Sequence, residues 1–429
     1  MPAVNNIKLT IGGPEATPGG AEARTHVIPV RGVPALDKKA ERGLDPAIIG
    51  TNMDAGEYLL ADSVAGGIPL AFRSVAGIGK LLKSLLGTEA TPVQVAAEIR
   101  IRYKGSSASC KLVSDTTANT LKSYIGALGA EALDTNFGTA GSIDLTAVGN
   151  DTIGELVALI DGYADYECTK LFGNDSVSSG EIVTVAAVQG KNKWAYFLFA
   201  GAATGVYAHV FKSNLSNTER PTYSIQKDGF QDNFLFAGCA VSSLNLSAAL
   251  KAMVEADCEI LGFSEAGSQT ASELILEDID PLIFHKGSFS LGAKEYTFIR
   301  NHSLAIANNP NAEGYGQGTP SRQYHQKGKF AVTGDCQLRL DSDSFVERAK
   351  IFDGALAACS FYYKGKMLTG VIPELMLLEL PFCSISSFEF TENNGIFDAK
   401  ISLIALKPKG TLYDDPLTIT MLTKDSGAY

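Results

Sequence analysis

The chain has 429 residues, which points to two or three domains, and 45% of them are hydrophobic, so a sizeable core can form without any need for disorder. A formal net charge of −11 argues against a surface that grips nucleic acid, which would be basic, but does not exclude one that nucleic acid merely passes. The 43 glycines fit a turn-rich β protein. The opening MPAVNNIKLTIGG shows no charged segment followed by an apolar run, so no signal peptide is expected. The longest apolar stretches, such as Trp194 to Gly205, are too short to span a bilayer, which predicts no membrane partner. Seven cysteines are widely spaced without a C-x-x-C pair, which disfavours a disulfide framework and fits folding in a cytoplasm.

Residues 1–50 are rich in Gly, Pro and charge and read as an N-terminal arm or long loop, with a strand at Thr25 to Val33. Ile78, Leu81, Leu82 and Leu85 recur at helical spacing before Gly87, which can take a left-handed C-terminal position. The texture changes at about 91. Ile99, Ile101 and Tyr103 alternate with Arg100, Arg102 and Lys104, and Ala108, Cys110 and Leu112 follow Gly105, which predicts a hairpin with a charged, edge-protecting face. A strand is expected at Asp144 to Val148. Thr152 and Glu155 form a capping box ahead of the apolar stripe Ile153, Leu156, Val157 and Ile160, closed by Gly162. Strands Ile182 to Val188 and Trp194 to Phe199 flank a turn at Gln189 to Asn192. Residues 93–202 are therefore expected to be an inserted small α+β domain.

From Val206 onward strands dominate. Tyr223 and Ile225 alternate with Thr222, Ser224 and Gln226, and further strands are expected at Tyr296 to Ile306 and Lys329 to Leu340 around a long polar loop. A short helix is predicted at Phe345 to Gly354. Asn394-Gly395 predicts a hairpin between Ile385 to Phe390 and Ile396 to Leu406. The most regular segment is Ala252 to Phe263. Val254, Ala256, Cys258 and Ile260 fall on one side of it, and Glu255, Asp257 and Glu259 on the other. Side chains alternate across a strand, so this is an extended strand with an apolar and an acidic face, paired with the strand upstream.

No catalytic constellation is found. The five histidines, His26, His209, His285, His302 and His325, lack a second ligand at metal spacing. Gly77-Ile-Gly-Lys80 has neither the spacing nor the Ser/Thr of a phosphate loop, and Asp341-Ser-Asp-Ser344 lacks the Gly and distal Glu of a calcium loop. The basic and aromatic run Tyr324 to Phe330 reads as a solvated loop or strand end. No metal, cofactor or enzymatic activity is expected.

Three landmarks resemble the tail tube proteins of tailed bacteriophages. The first runs from Thr51-Asn-Met-Asp-Ala-Gly-Glu-Tyr58 to Leu86-Gly87. The second is Val206 to Phe211, Pro221 to Ile225, Phe236 to Cys239 and the acidic-faced strand ending near Gly262. The third is Thr297 to Asn309 followed by Lys329 to Gly334. The resemblance covers about 20–90 and 203–420. It implies a mainly β fold, a β-sandwich or barrel-type tail tube domain with a short helix, made discontinuously of 51–92 and 203–429. The segment 93–202 departs from the family's pattern and resembles small modules inserted in phage tail and sheath proteins.

The resemblance further implies a structural virion protein, assembled in the host cytoplasm, whose copies form rings, as a rule hexameric, that stack into a tube for genome ejection. Implied partners are further copies of the chain, the tape-measure, tail-terminator and baseplate proteins, and DNA that passes without specific binding. On this reading Glu255, Asp257 and Glu259 line the lumen, and the insertion sits outside. The alternative expectation is a surface or adhesion protein that uses the inserted domain, signalled by exposed Tyr163, Tyr166 and Phe172.

Overall fold

The computed structural model describes residues 7–44, 57–191, 193–201, 204–213, 220–229, 232–292, 294–310, 314–315, 317, 319–325, 328–393, 395–407 and 415–429. In chain order its elements are β1 (Lys8–Pro14), β2 (Arg24–Ile28), β3 (Asp37–Leu44), β4 (Glu57–Ala71), α1 (Ala76–Leu86) and β5 (Gly87–Glu89). Next come β6 (Val93–Tyr103), β7 (Ser109–Asp115), β8 (Thr120–Ala127), β9 (Ala130–Leu133), β10 (Ser142–Asp144), α2 (Ile153–Asp161), β11 (Tyr166–Phe172), β12 (Val185–Gln189) and β13 (Ala195–Ala200). Then follow β14 (Tyr207–Ser213), β15 (Tyr223–Asp228), β16 (Phe234–Ala249), β17 (Glu255–Gly262), β18 (Ser264–Ala266), β19 (Gly287–Leu291), β20 (Lys294–Tyr296), β21 (Ile299–Ala307) and β22 (Ala331–Arg339). The chain closes with α3 (Ser342–Asp353), β23 (Ala357–Thr369), β24 (Ile372–Asn393), β25 (Ile396–Ala405) and β26 (Thr418–Thr423). The fold is mainly β, and its ladders are antiparallel.

One wall runs β3-β4-β17-β16-β21-β22-β25-β24. A second runs β20-β19-β23-β24-β26-β14. The 22-residue β24 serves both: its first half pairs β23 and β26, and its second half pairs β25. The walls meet face to face where the His302 ring lies 4.5 Å from Phe361. Burial explains the sequence of β24. Ile372 to Leu378 are all buried, because both faces of this half-strand are covered, so the apolar run does not alternate. Helix α1 packs on β16, β14 and β2 and is buried nearly all round, which its apolar composition demands. A Cβ on Gly77 would stand 2.3 Å from the Val27 carbonyl oxygen, and one on Gly79 2.1 Å from the Tyr429 ring. The two glycines therefore serve close packing. Gly87 ends the helix at φ 92°, a left-handed conformation that glycine adopts without strain.

A second hydrophobic cluster lies between two further sheets, β11-β6-β13 and β10-β8-β7-β12, and includes Ile99, Ile101, Leu112, Leu121, Phe197 and Phe199. The Thr152 capping box forms as expected: its side chain accepts from the Glu155 amide, and the Glu155 side chain accepts from the Thr152 amide. Thr152→Ala should cost about 1 kcal/mol, measured as a fall in the urea midpoint at constant slope.

Several expectations are corrected. Residues 8–44 carry three strands, and Leu9 and Ile11 of β1 are fully buried against β15 and β2. Gly12, Gly13 and Pro14 form the second half of β1 itself, where the pairing with β15 shifts register between Ile11 and Pro14. The strand placed at Thr25 to Val33 ends at Ile28, before Pro29. Strands β6 and β7 do not form a hairpin. Both edges of β6 are occupied by β11 and β13, so it is an interior strand and its arginines protect no edge. Similarly β12 pairs β7 while β13 pairs β6, so Gln189 to Lys191 cross between sheets; Asn192 lies outside the described residues. The strand expected at Asp144 to Val148 stops at Asp144, whose carboxylate accepts from the amide and hydroxyl of Thr146 and turns the chain. Asn394 and residues 51–56 also lie outside the described residues, but Asn393 pairs Ile396 across the predicted hairpin.

Candidate functional site

The acidic strand face is part of a continuous polar surface. In β17, Ala256, Cys258 and Ile260 are buried, whereas Asp257 and Glu259 are exposed and Glu255 is half-buried. Register extends this face across seven strands. One row reads Pro69, Asp257, Asn245, Ala305, Thr333, Ile404 and Ser384. The next reads Ala71, Glu255, Ser247, Ser303, Asp335, Ser402 and Ser387. A third, Gly67, Glu259, Ser243 and Ala307, flanks them. Apart from the exposed Ile404, small uncharged side chains thus pave the face, and carboxylates stand out from it.

Its charge is modulated locally. Arg31, from the loop after β2, reaches Asp257 at 2.9 Å and Glu255 at 3.4 Å. Glu259 makes no ion pair among the described residues. Farther across, Asp335 accepts from Ser402 at 2.5 Å, and Glu389 lies 4.0 Å from Lys400. The sequence shows the alternation in β17 and β22 separately. It does not show that register places Asp335 beside Ser303 and Ser247, nor that Arg31 folds onto the acidic row.

Alternation in β23 sets what lies on the other side. Cys359, Phe361 and Tyr363 point into the sandwich core, where the Tyr363 hydroxyl meets His302. Ser360, Tyr362 and Lys364 point the opposite way, onto the β6–β13 unit. That unit therefore sits on the outer face of the second wall, while the polar surface is the outer face of the first.

The two ends of the first wall also differ. From Glu57 to Ala61, β4 pairs only with β3, and this paired extension exposes Leu44, Tyr58, Leu59 and Leu60. The opposite end exposes Leu250, Phe298, Phe345, Ile396 and Phe397. It also holds a groove of about 620 Å³ lined by Leu250, Phe284, Phe289, Ile299 and His302.

The remaining motifs resolve into packing. Lys80 of Gly77-Ile-Gly-Lys80 is buried and donates to the Gly12 carbonyl at 2.9 Å and the Thr25 hydroxyl at 2.6 Å; burial pushes its pKa down to about 8. Asp341 and Ser344 bond each other's amides reciprocally and cap α3. His209 lies 2.8 Å from the buried Glu89, and the His325 Nε2–H donates to the Gly238 carbonyl at 2.7 Å while the ring stacks on Phe263. Tyr166 and Phe172 are buried and Tyr163 is half-buried against Phe137, so the exposed aromatic cluster expected of an adhesive surface is not formed. These rings are needed to close the two cores. Among the described residues no helix is long and apolar enough to cross a membrane, and no three His, Cys, Asp or Glu side chains group as metal ligands.

The chain is thus a mainly β sandwich with a largely polar outer face and exposed apolar side chains at its two ends. The family model described as phage tail tube protein matches residues 5–361, and the chain belongs to that family. It is a structural protein of the bacteriophage tail. No curated protein matches the chain.

Proposed function

We propose that copies of this chain assemble into rings, hexameric as the family resemblance implies, which stack into a tube through which the genome leaves the virion. The observation that carries this reading is the polar face continuous across seven strands, on the outer side away from the β6–β13 unit. Facing a lumen, it presents carboxylates to DNA that carries one charge per about 1.7 Å of axis. Alternate residues on a strand are about 6.8 Å apart, within the roughly 8 Å screening length of physiological salt, so Glu255, Asp257 and Glu259 act on the duplex as a line of charge. Arg31 offsets part of that line, which leaves Glu259 the strongest single contributor. Apolar ends on opposite sides of one subunit suit head-to-tail contacts, which build open filaments. In this scheme the tape-measure, tail-terminator and baseplate proteins meet the tube from within and at its ends.

The test is Glu255→Lys/Asp257→Lys/Glu259→Lys. Tubes should still form, and DNA passage should slow, most at low ionic strength. Unchanged ejection kinetics would remove the acidic row from the lumen.

A further inference from the structure

The contact between the β6–β13 unit and the sandwich, anchored at one end where β6 pairs β14, encloses one buried carboxyl among the apolar side chains Leu171, Phe172, Tyr196 and Leu198. Glu98 of β6 is fully buried. The Tyr362 hydroxyl donates to its Oε2 at 3.0 Å, and its Oε1 has no hydrogen-bond partner. Tyr196 of β13 stacks on Tyr362 at 5.9 Å with the rings 10° apart, and Phe172 and Leu198 pair beside Glu98 across the ladders. The rim of this contact is polar: Arg100 meets Glu295 at 3.2 Å, Lys193 meets Glu379 at 3.6 Å, and Lys364 donates to the Leu171 carbonyl at 3.0 Å.

An ionised Glu98 would leave a charged oxygen buried without a partner, a costly arrangement, whereas a neutral carboxyl needs less. We propose that the β6–β13 unit is a releasable module, seated on β23 and β24 while Glu98 carries a proton and loosened when Glu98 ionises. The groups that face Glu98 set the balance. Arg100 on its own strand and Lys364 on β23 favour the ionised form. Glu379 on β24 opposes it, and the Tyr362 hydroxyl stabilises it by one hydrogen bond. Burial outweighs them and pushes the carboxyl up to about 8.

The seated state holds a proton that the released state gives up above its ordinary carboxylate pKa of about 4.3. Seating is therefore strongest in acid. It weakens by up to about tenfold per pH unit as pH rises from about 4.5 toward 8, and changes little beyond.

Trp194, the chain's single tryptophan, reports on this contact. It is buried beside Arg100, whose guanidinium lies 4.1 Å above the ring. In the full-length protein, the urea midpoint of Trp194 emission should fall between pH 5.5 and pH 8, by more than the midpoint of far-UV dichroism. In Glu98→Gln, which is neutral at both pH values, the difference between the two pH values should shrink to that of the dichroism. A wild-type Trp194 midpoint that does not move would overturn the proposal without recourse to any variant. So would a Glu98→Gln protein with the wild-type pH dependence.

Discussion

Phe361→Ala is expected to destabilise the fold by about 3–5 kcal/mol, the usual cost of removing a buried aromatic ring and leaving its cavity. Phe361 is buried between the walls, with ring centroids 4.5 Å from His302 and 5.1 Å from Phe289. Those neighbours come from β21 and β19, so the ring joins both walls and cannot be replaced by local collapse of either. His302 is itself buried and held neutral, and the ring shields it from water that would favour its charged form. Against a typical total of about 5–15 kcal/mol, the loss is large. Urea unfolding followed by far-UV dichroism measures it. A loss below about 1 kcal/mol would mean that the walls do not meet at this position.

The second large effect concerns assembly. Leu59→Asp/Leu60→Asp places charges on the paired extension of β3 and β4, where both side chains are about half exposed. The isolated subunit should keep its stability to within about 0.5 kcal/mol, because neither residue supports a core. If the extension seats on another copy, as the tube reading requires, burying two unpaired carboxylates there is prohibitive and assembly should be lost. Sedimentation of variant and wild type at matched concentration reads the result. Undiminished assembly would exclude the extension from the contacts between copies.

How much of this was legible in the sequence depends on the range of the interaction concerned. Local signals are complete where the partner is a near neighbour. The Thr152 and Glu155 cap, the Gly87 helix end, the Asn394-Gly395 hairpin and the two faces of β17 all follow from residues a few positions apart. The resemblance to tail tube proteins, carried by soft patterns over most of the chain, agrees with the family match over residues 5–361. Pairing was not legible where it joins distant segments. Ile99 to Tyr103 looked like half of a hairpin with Cys110, because alternation cannot say that Cys168 and Ala195 already occupy both edges. The buried β1 was hidden because only Leu9 and Ile11 alternate in it before Gly12, Gly13 and Pro14, which are themselves part of the strand. The candidate site shows the same division. Glu255, Asp257 and Glu259 were visible as one face, but Arg31, Asp335 and Glu389 joined that setting only through contacts and register. A two-residue period defines two faces of a strand and leaves open which neighbours complete each of them.

Electron microscopy of the purified protein in negative stain tests the central claim most directly. Self-assembly through the two ends of the subunit predicts stacked rings or hollow tubes that grow with protein concentration. Dispersed monomers at every concentration would contradict it.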